Sequence, residues 1–460
     1  MAPRPLVEAA LKGLRGALTG DVITRGDPGY DEARTIFNGM IDRHPSVIVQ
    51  CESAADVAAA IGFAREHDLE LAVRGGGHSV SGLSVTDGGL VVDLRRMHAV
   101  TVEPDARTAR VGGGATMSHL DRATQPYALA VTGGRASTTG VGGFALGGGS
   151  GWLERKFGLL CDSLVSVDLV TADGNEVHTD KDENPELFWA LHGGGGNFGV
   201  ATSMTLGLHP LPAMSVAFLF FPAARGGDVL PVYRDVLESA PDEAGGGFIY
   251  LTGPPEDFMP EHLVGKAVCL VLITYAGTEP ELRRTAGPLL GQGHEAEVIT
   301  ELPYAELQCM IDDPPGLRNY WSAEYLRALP AEAVDVFCAR ADSMIVPSNS
   351  QHILFPMGGA MARGDSAYPV PWRTARWVSH PFGIWENPAD DEQGRQWVRD
   401  ARTDVMPWSI GQVYLNFIGD EGEQRVVAGF GAENYRRLAA VKAQYDPDNV
   451  FRLNHNIKPS

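Results

Sequence analysis

The sequence predicts an α+β chain, with a glycine-rich first part built on a βαβ-like unit and then an antiparallel sheet flanked by helices. Three observations predict it. Residues 46–50, 53–66 and 71–74 read strand, helix, strand in that order. Of the 55 glycines, 26 fall between Arg74 and Gly207. From Leu208 onward, prolines and alternating apolar segments replace them.

The elements follow in order. Residues 53–66 carry apolar positions at helical spacing, and Glu52-Ser53 supplies a start. LAVR at 71–74, LVVDL at 90–94 and SLVSVDLVTADG at 163–174 read as strands interrupted by glycine clusters. Folded chains use such clusters where backbone turns tightly or approaches a ligand, so this part is expected to surround a large one. Helices are expected over 116–126 and over 182–193, the latter with Pro185 in its first turn and Gly193 as its stop. Strands follow at 215–221, 247–253, 267–277 and 351–361, with helices at 279–290 and 330–343. A helix over 433–444, a DPDN turn and an extended tail end the chain.

Charge and composition exclude several functions. The balance is 37 basic against 58 acidic side chains, or −21, which argues against nucleic acid and anionic membranes as partners. The longest apolar run, Val268 to Ala276, is far below the roughly 18–20 residues of a membrane span. Glu8, Lys12 and Arg15 interrupt the N-terminal segment, so no signal-peptide core is expected and a cytoplasmic protein is the reading. The five cysteines show no CxxC pair, and the histidines no HxH or HxxxH pair, so neither a disulfide framework nor a metal site is implied.

Arg74-Gly75-Gly76-Gly77-His78-Ser79 follows a strand directly. Successive glycine N–H groups can form an anion-binding nest suited to a pyrophosphate, with Arg74 adding charge; a tight turn with an incidental histidine explains the glycines equally well. Gly194 to Gly199 and Gly140 to Ala145 both fit dinucleotide patterns. The first is preceded by a helix and followed by a strand, and the second runs into GGGSG rather than a helix, so a Rossmann unit is rejected. Cys161, among leucines, reads as a small buried hydrophobe.

Six motifs in order, RGGGHS (74–79), GVGG to GGGSGW (140–152), GLLCDSLVSVDLVTADG (158–174), FWALHGGGGNFGV (188–200), YLNF (414–417) and YDPDNVFRLNHNI (445–457), resemble FAD-linked oxidases of the vanillyl-alcohol-oxidase superfamily, with its PCMH-type FAD-binding domain, in the berberine-bridge-enzyme-like branch. The resemblance implies an FAD-binding domain over 1–207, a substrate domain over 208–413 whose sheet roofs the flavin, and a C-terminal segment, 414–460, returning to the FAD domain. It implies cofactor contacts from Arg74, Gly75, Gly76, Gly77, His78, Ser79 and Gly82 in the first loop. Further contacts are implied from Gly133, Thr138, Thr139, Gly142, Gly143, Gly148, Val200, Tyr414, Asn416 and Asn454. His78 is expected to bond covalently to the flavin. A second bond through cysteine is not expected, because Ala136 stands about where that cysteine would be.

Such enzymes pass a hydride from a substrate carbon to the flavin and electrons on to dioxygen, and a base assists as the substrate proton leaves. Tyr414 and Asn416 are the expected catalytic pair: VYLNF alternates as a strand, which puts both on one face. The next position of the pattern is often a second tyrosine, and here it is Phe417. Tyr250, Tyr320, Glu324, Gln351 and His352 are the other base candidates. Tryptophans of the second half, among them Trp321, Trp372 and Trp377, are either pocket wall or core. The expected partners are a small-molecule substrate and dioxygen; the oligomeric state is left open. The alternatives are a flavin-dependent oxygenase or natural-product tailoring enzyme, and a flavin-binding protein without turnover.

Overall fold

The computed structural model describes residues 8–310 and 312–460, so the first seven residues of the expected first domain lie outside the described residues. Three main sheets organise the chain.

The first sheet has the order Asp21–Thr24, Val47–Gln50, Leu90–Asp93, Leu71–Arg74. The last three strands are parallel, with Leu90–Asp93 in the middle. The helix Ala54–Glu66 crosses between Val47–Gln50 and Leu71–Arg74, as a parallel pair requires. It starts where Ser53 Oγ accepts the Asp56 N–H, and it buries Val57, Ala60, Ile61 and Ala64 on the sheet. The second sheet is antiparallel: Val100–Glu103, Thr108–Gly112, Val200–Gly207, Leu164–Val170, Glu176–Asp180.

The large sheet has eight antiparallel strands between Ser215 and Trp385. Its two faces are chemically different. Phe248, Tyr250, Leu354 and Trp377 join a core formed with the helices Gly226–Ser239, Glu279–Leu290, Ala331–Ala341 and Asp391–Val405. The alternate residues Ile249, Gln351, Ile353, Phe355, His380 and Phe382 face the other way, toward a cavity. The C-terminal helix Ala432–Tyr445 packs back on the first part of the chain: Lys442 Nζ donates to Asn197 O at 2.7 Å and pairs with Asp446 at 2.6 Å, both side chains buried. Among the described residues no helix is long and apolar enough to cross a membrane.

Four local expectations are corrected. Leu415–Phe417 is a single 3-10 turn, not a strand, because Phe417 N–H bonds back to Tyr414 O at 3.0 Å. Val141–Leu146 is a short helix despite its glycines, since Gly142 lies where a Cβ would come within 3.0 Å of Gly113 O. The helix expected over 182–193 is confined to Pro185–Ala190, and the strand expected to 361 ends at Pro356, before Gly358 turns with φ +103°.

Candidate functional site

A cavity of about 420 Å³ runs from the loop after Leu71–Arg74 to the large sheet. At its first end, Gly76 presses on Gly140: a Cβ on Gly76 would stand 2.2 Å from Gly140 N, and one on Gly140 2.3 Å from Gly76 N. Only glycine pairs can approach so closely. Gly77 adopts φ +74°. Among the described residues, the N–H groups of Gly75 through Ser79 donate to no protein acceptor. That leaves a row of free donors at a bare backbone cradle, which fits the pyrophosphate of a dinucleotide.

His78 lines the cavity beside this row. Its Nε2 lies 2.8 Å from Thr138 Oγ1, and its ring stacks on Phe37 with centroids 4.1 Å apart. Burial lowers its pKa to about 4, against a small opposing effect from Asp312. Thr139, Gly142, Gly143, Val200, Tyr414, Asn416 and Asn454 also line the cavity. Asn454 Nδ2 donates to Phe451 O at 2.9 Å, and its Oδ1 is buried without a partner.

Five expected cofactor residues do not line it. Arg74 brings no charge to the cavity: it is buried, ion-paired with Asp93 at 2.6 Å, each 1 % exposed. Gly82 forms a turn with φ +67° against Ile41. Gly133 N–H donates to Tyr304 Oη, Gly148 packs beside Tyr414, and Thr138 reaches the site only through His78. Ala136 does line the cavity. Cys161 lies outside the lining and is fully buried beside Arg373 and Asp162, with its thiol pushed up by burial.

Tyr414 and Asn416 meet without a strand. Asn416 Nδ2 donates to Tyr414 Oη at 2.9 Å and to Gly143 O at 3.2 Å, and Gly149 N–H donates to the same Oη at 3.1 Å. Burial pushes the phenol well above its ordinary range, although both of these bonds oppose it. A neutral phenol that already accepts two hydrogen bonds is suited to orienting a polar group, the second of the two roles expected of Tyr414, rather than to taking up a proton.

Of the other base candidates, only Gln351 reaches the cavity. His352 points to the helix side and stacks on Phe337, Tyr250 packs with Phe248 and Phe337, and Glu324 is ion-paired with Arg402 and Arg425. Trp321 is the one tryptophan of the second half that lines the cavity; Trp372, Trp377, Trp385 and Trp397 are core.

His380 was not among the sequence candidates. It lines the cavity, buried, with its ring stacked on Phe417 at 4.3 Å and 7°. Ser322 O lies 2.8 Å from Nδ1. A carbonyl can only accept, so Nδ1 carries the hydrogen and Nε2 keeps its lone pair. Burial lowers the pKa to about 4, so the ring is neutral at pH 7. The signal in the sequence was SHPF on an alternating strand, two residues from a phenylalanine on the same face.

Buried neutral histidines make stability acid-sensitive. His78, His192, His380 and His455 are lowered to about 4 and His352 to about 3, each chiefly by burial. Between pH 6.5 and 4 the unfolded chain therefore binds more protons than the folded one, and stability is lost as pH falls. His119 and His209 are lowered by burial too, while Asp121 and Asp313, raised by burial to about 7 and about 6, Glu154, also raised by burial, and His178, raised by its bond to Asp168, act in the opposite sense. The melting temperature is expected to drop progressively from pH 6.5 to 4.5; a constant value over that range contradicts the burial assignments.

Residues 45–180 match the FAD binding domain family, and residues 413–458 match the berberine and berberine-like family. The FAD-linked oxidoreductase YgaK of Bacillus subtilis (strain 168) is 32% identical over 96% of this chain and 97% of its own. The (R)-6-hydroxynicotine oxidase of Paenarthrobacter nicotinovorans is 29% identical over 96% and 97%. The crystal structure of 6-hydroxy-D-nicotine oxidase from Arthrobacter nicotinovorans superposes with a TM-score of 0.84 at 28% identity, covering 96% of this chain and 98% of that one. With both family models matched and a relative at 32% identity spanning nearly the whole length, this chain belongs to the FAD-linked oxidases of the berberine-bridge-enzyme-like branch, as an FAD-binding oxidoreductase.

Proposed function

We propose that the protein is an FAD-linked oxidase that removes a hydride and a proton from a small organic substrate and delivers the electrons to dioxygen. The observation that carries this reading is one continuous cavity joining the free N–H row at Gly75–Ser79 to the aromatic face that bears His380. In this reading residues 1–207 and 414–460 hold the cofactor and 208–413 hold the substrate. Bound FAD supplies the two-electron acceptor.

The chain's own residues do the rest. The loop Gly75–Ser79 neutralises pyrophosphate charge through backbone donors, while Asn416, tied to Gly143 O and Tyr414 Oη, fixes the flavin edge. His380 Nε2 accepts the hydrogen of the substrate O–H or N–H as the adjacent carbon loses its hydride. Trp321, Phe355 and Phe382 give the substrate side apolar walls that exclude water. His78 is the residue that would hold the flavin covalently; with Thr138 on Nε2, Nδ1 would be the nitrogen left free for it.

Two measurements test this. Anaerobic mixing with a panel of alcohols, glycosides, amines and phenols should bleach the flavin for at least one class, and air should then return one peroxide per substrate; labelled oxygen in the product instead points to an oxygenase. Acid precipitation should leave a yellow pellet from the wild type and a colourless one from His78→Ala. A colourless wild-type pellet from flavin-loaded protein rules out the covalent bond.

A further inference from the structure

We infer that the substrate is an organic amine bound as its cation, recognised by Asp313 together with the aromatic corner of Trp321 and Phe382. The inference deepens the oxidase reading and rests on it. Among the described residues, Asp313 is the one carboxylate lining the cavity, and Arg135 the one guanidinium. Their charges do not cancel each other. Arg135 is matched by Glu154, 3.2 Å away, and lies flat over Phe355 at 3.9 Å. Asp313 has no basic side chain within ion-pair distance among the described residues. Its polar neighbour is the Asn349 amide, and Asp312 beside it adds like charge. The histidines of the lining, His78, His380 and His455, are neutral at pH 7. Asp313 is therefore an uncompensated carboxylate in the lining, which disfavours an anionic group beside it and favours a cation.

Asp313 is held in place rather than trailing. Asp312 accepts the Ser137 N–H at 2.7 Å, Gly316 N–H donates to Phe37 O at 3.0 Å, and Gly39 N–H donates to Leu317 O at 2.8 Å. Asn349 stands two residues before Gln351, and Gln351 pairs in register with Phe382. Trp321 also pairs with Phe382, their rings edge to face at 4.3 Å. Carboxylate and aromatic corner thus line the same cavity. Ring faces attract cations most strongly where water is excluded, and a nearby carboxylate adds to that attraction. Burial raises Asp313 to about 6, so it is ionised at pH 7 yet poorly solvated, and an ammonium group would relieve it. A net charge of −21 draws cations to the protein in the first place.

The test uses the FAD-loaded protein and benzyltrimethylammonium, a cation that cannot lose an N–H proton, with the uncharged isostere neopentylbenzene as control. Binding is read from the shift of the flavin absorption spectrum. The cation should bind at least about tenfold tighter, and Asp313→Asn should abolish that preference with FAD content unchanged. Equal binding of the two probes, or a preference that survives Asp313→Asn, overturns the inference. Trp321→Leu should weaken the cation and leave the neutral probe alike or tighter; an unchanged cation affinity removes the aromatic part. If an alcohol or glycoside bleaches the flavin while the cation fails to bind, the amine inference falls and the oxidase reading stands. If the cation binds as expected but no substrate class bleaches the flavin, the oxidase reading falls and the site remains a cation site.

Discussion

His380→Gln lowers the rate of anaerobic flavin reduction by about 10²–10⁴ while FAD content stays at wild-type level, the usual worth of a positioned proton acceptor. The size of the loss follows from the geometry. Nδ1 is committed to Ser322 O, and the ring is clamped flat on Phe417, so Nε2 sits at a fixed point of the cavity wall. An amide can still bond the carbonyl but offers no basic nitrogen. The pH profile separates this role from a structural one. With a pKa of about 4, the imidazole keeps its lone pair from pH 8 down to about 5, so the reduction rate is flat there and falls below about 4 as the ring protonates. A variant within threefold of wild type, or one that loses rate only in proportion to lost FAD, moves the proton acceptor elsewhere.

Gly76→Ala is expected to prevent FAD loading and to cost roughly 2–4 kcal/mol, at the upper end for a single added methyl. The methyl would stand 2.2 Å from Gly140 N and 2.7 Å from Gly140 Cα, both backbone, so two loops must separate. The separation opens the N–H row and the Val141–Leu146 helix together, because Gly140 leads directly into that helix. Gly143→Ala is the control: nothing lies within 4 Å of its Cβ position and it sits inside a helix, so the stability of the flavin-free protein stays the same or rises by up to about 1 kcal/mol. Denaturant midpoints of the two flavin-free variants, with the flavin stoichiometry of Gly76→Ala, read the difference. A yellow Gly76→Ala protein with an unchanged midpoint refutes the contact.

The parts of the fold written in local patterns were legible. Ser53 at a helix start, period-two strands from Ser215 to Tyr275, and the glycine loop after Leu71–Arg74 each carry their signal within a few residues. The glycine cradle at the first end of the cavity was legible for the same reason, since a bare backbone nest needs consecutive glycines. Arg74 was misjudged because the residue that claims it, Asp93, is on a strand reached through a long connection. VYLNF misled because alternation is common to strands and to a turn whose side chains bond one another, and here Asn416 reaches Tyr414 instead of a neighbouring strand. His380 and Trp321 come from separate segments, and only strand register brings them to one wall, while Asp313 reaches the same cavity from a loop. No spacing along the chain encodes that meeting.

The alternating sides of the large sheet carry an evolutionary consequence. Residues such as Phe248 and Leu354 are locked among helices, so changing them leaves voids in close-packed interior and endangers folding. Their neighbours Ile249, Gln351 and Ile353 border open space, where a larger or smaller side chain alters the shape offered to a ligand at little cost to the rest. Selection for a new reactant can therefore act on every second position of a strand while selection for foldability acts on the others. A lineage built on this scaffold can change what it oxidises by small steps, none of which has to be rescued elsewhere in the molecule. The same partition gives a library design: randomise only the cavity-side set, and most members should still fold and hold their cofactor.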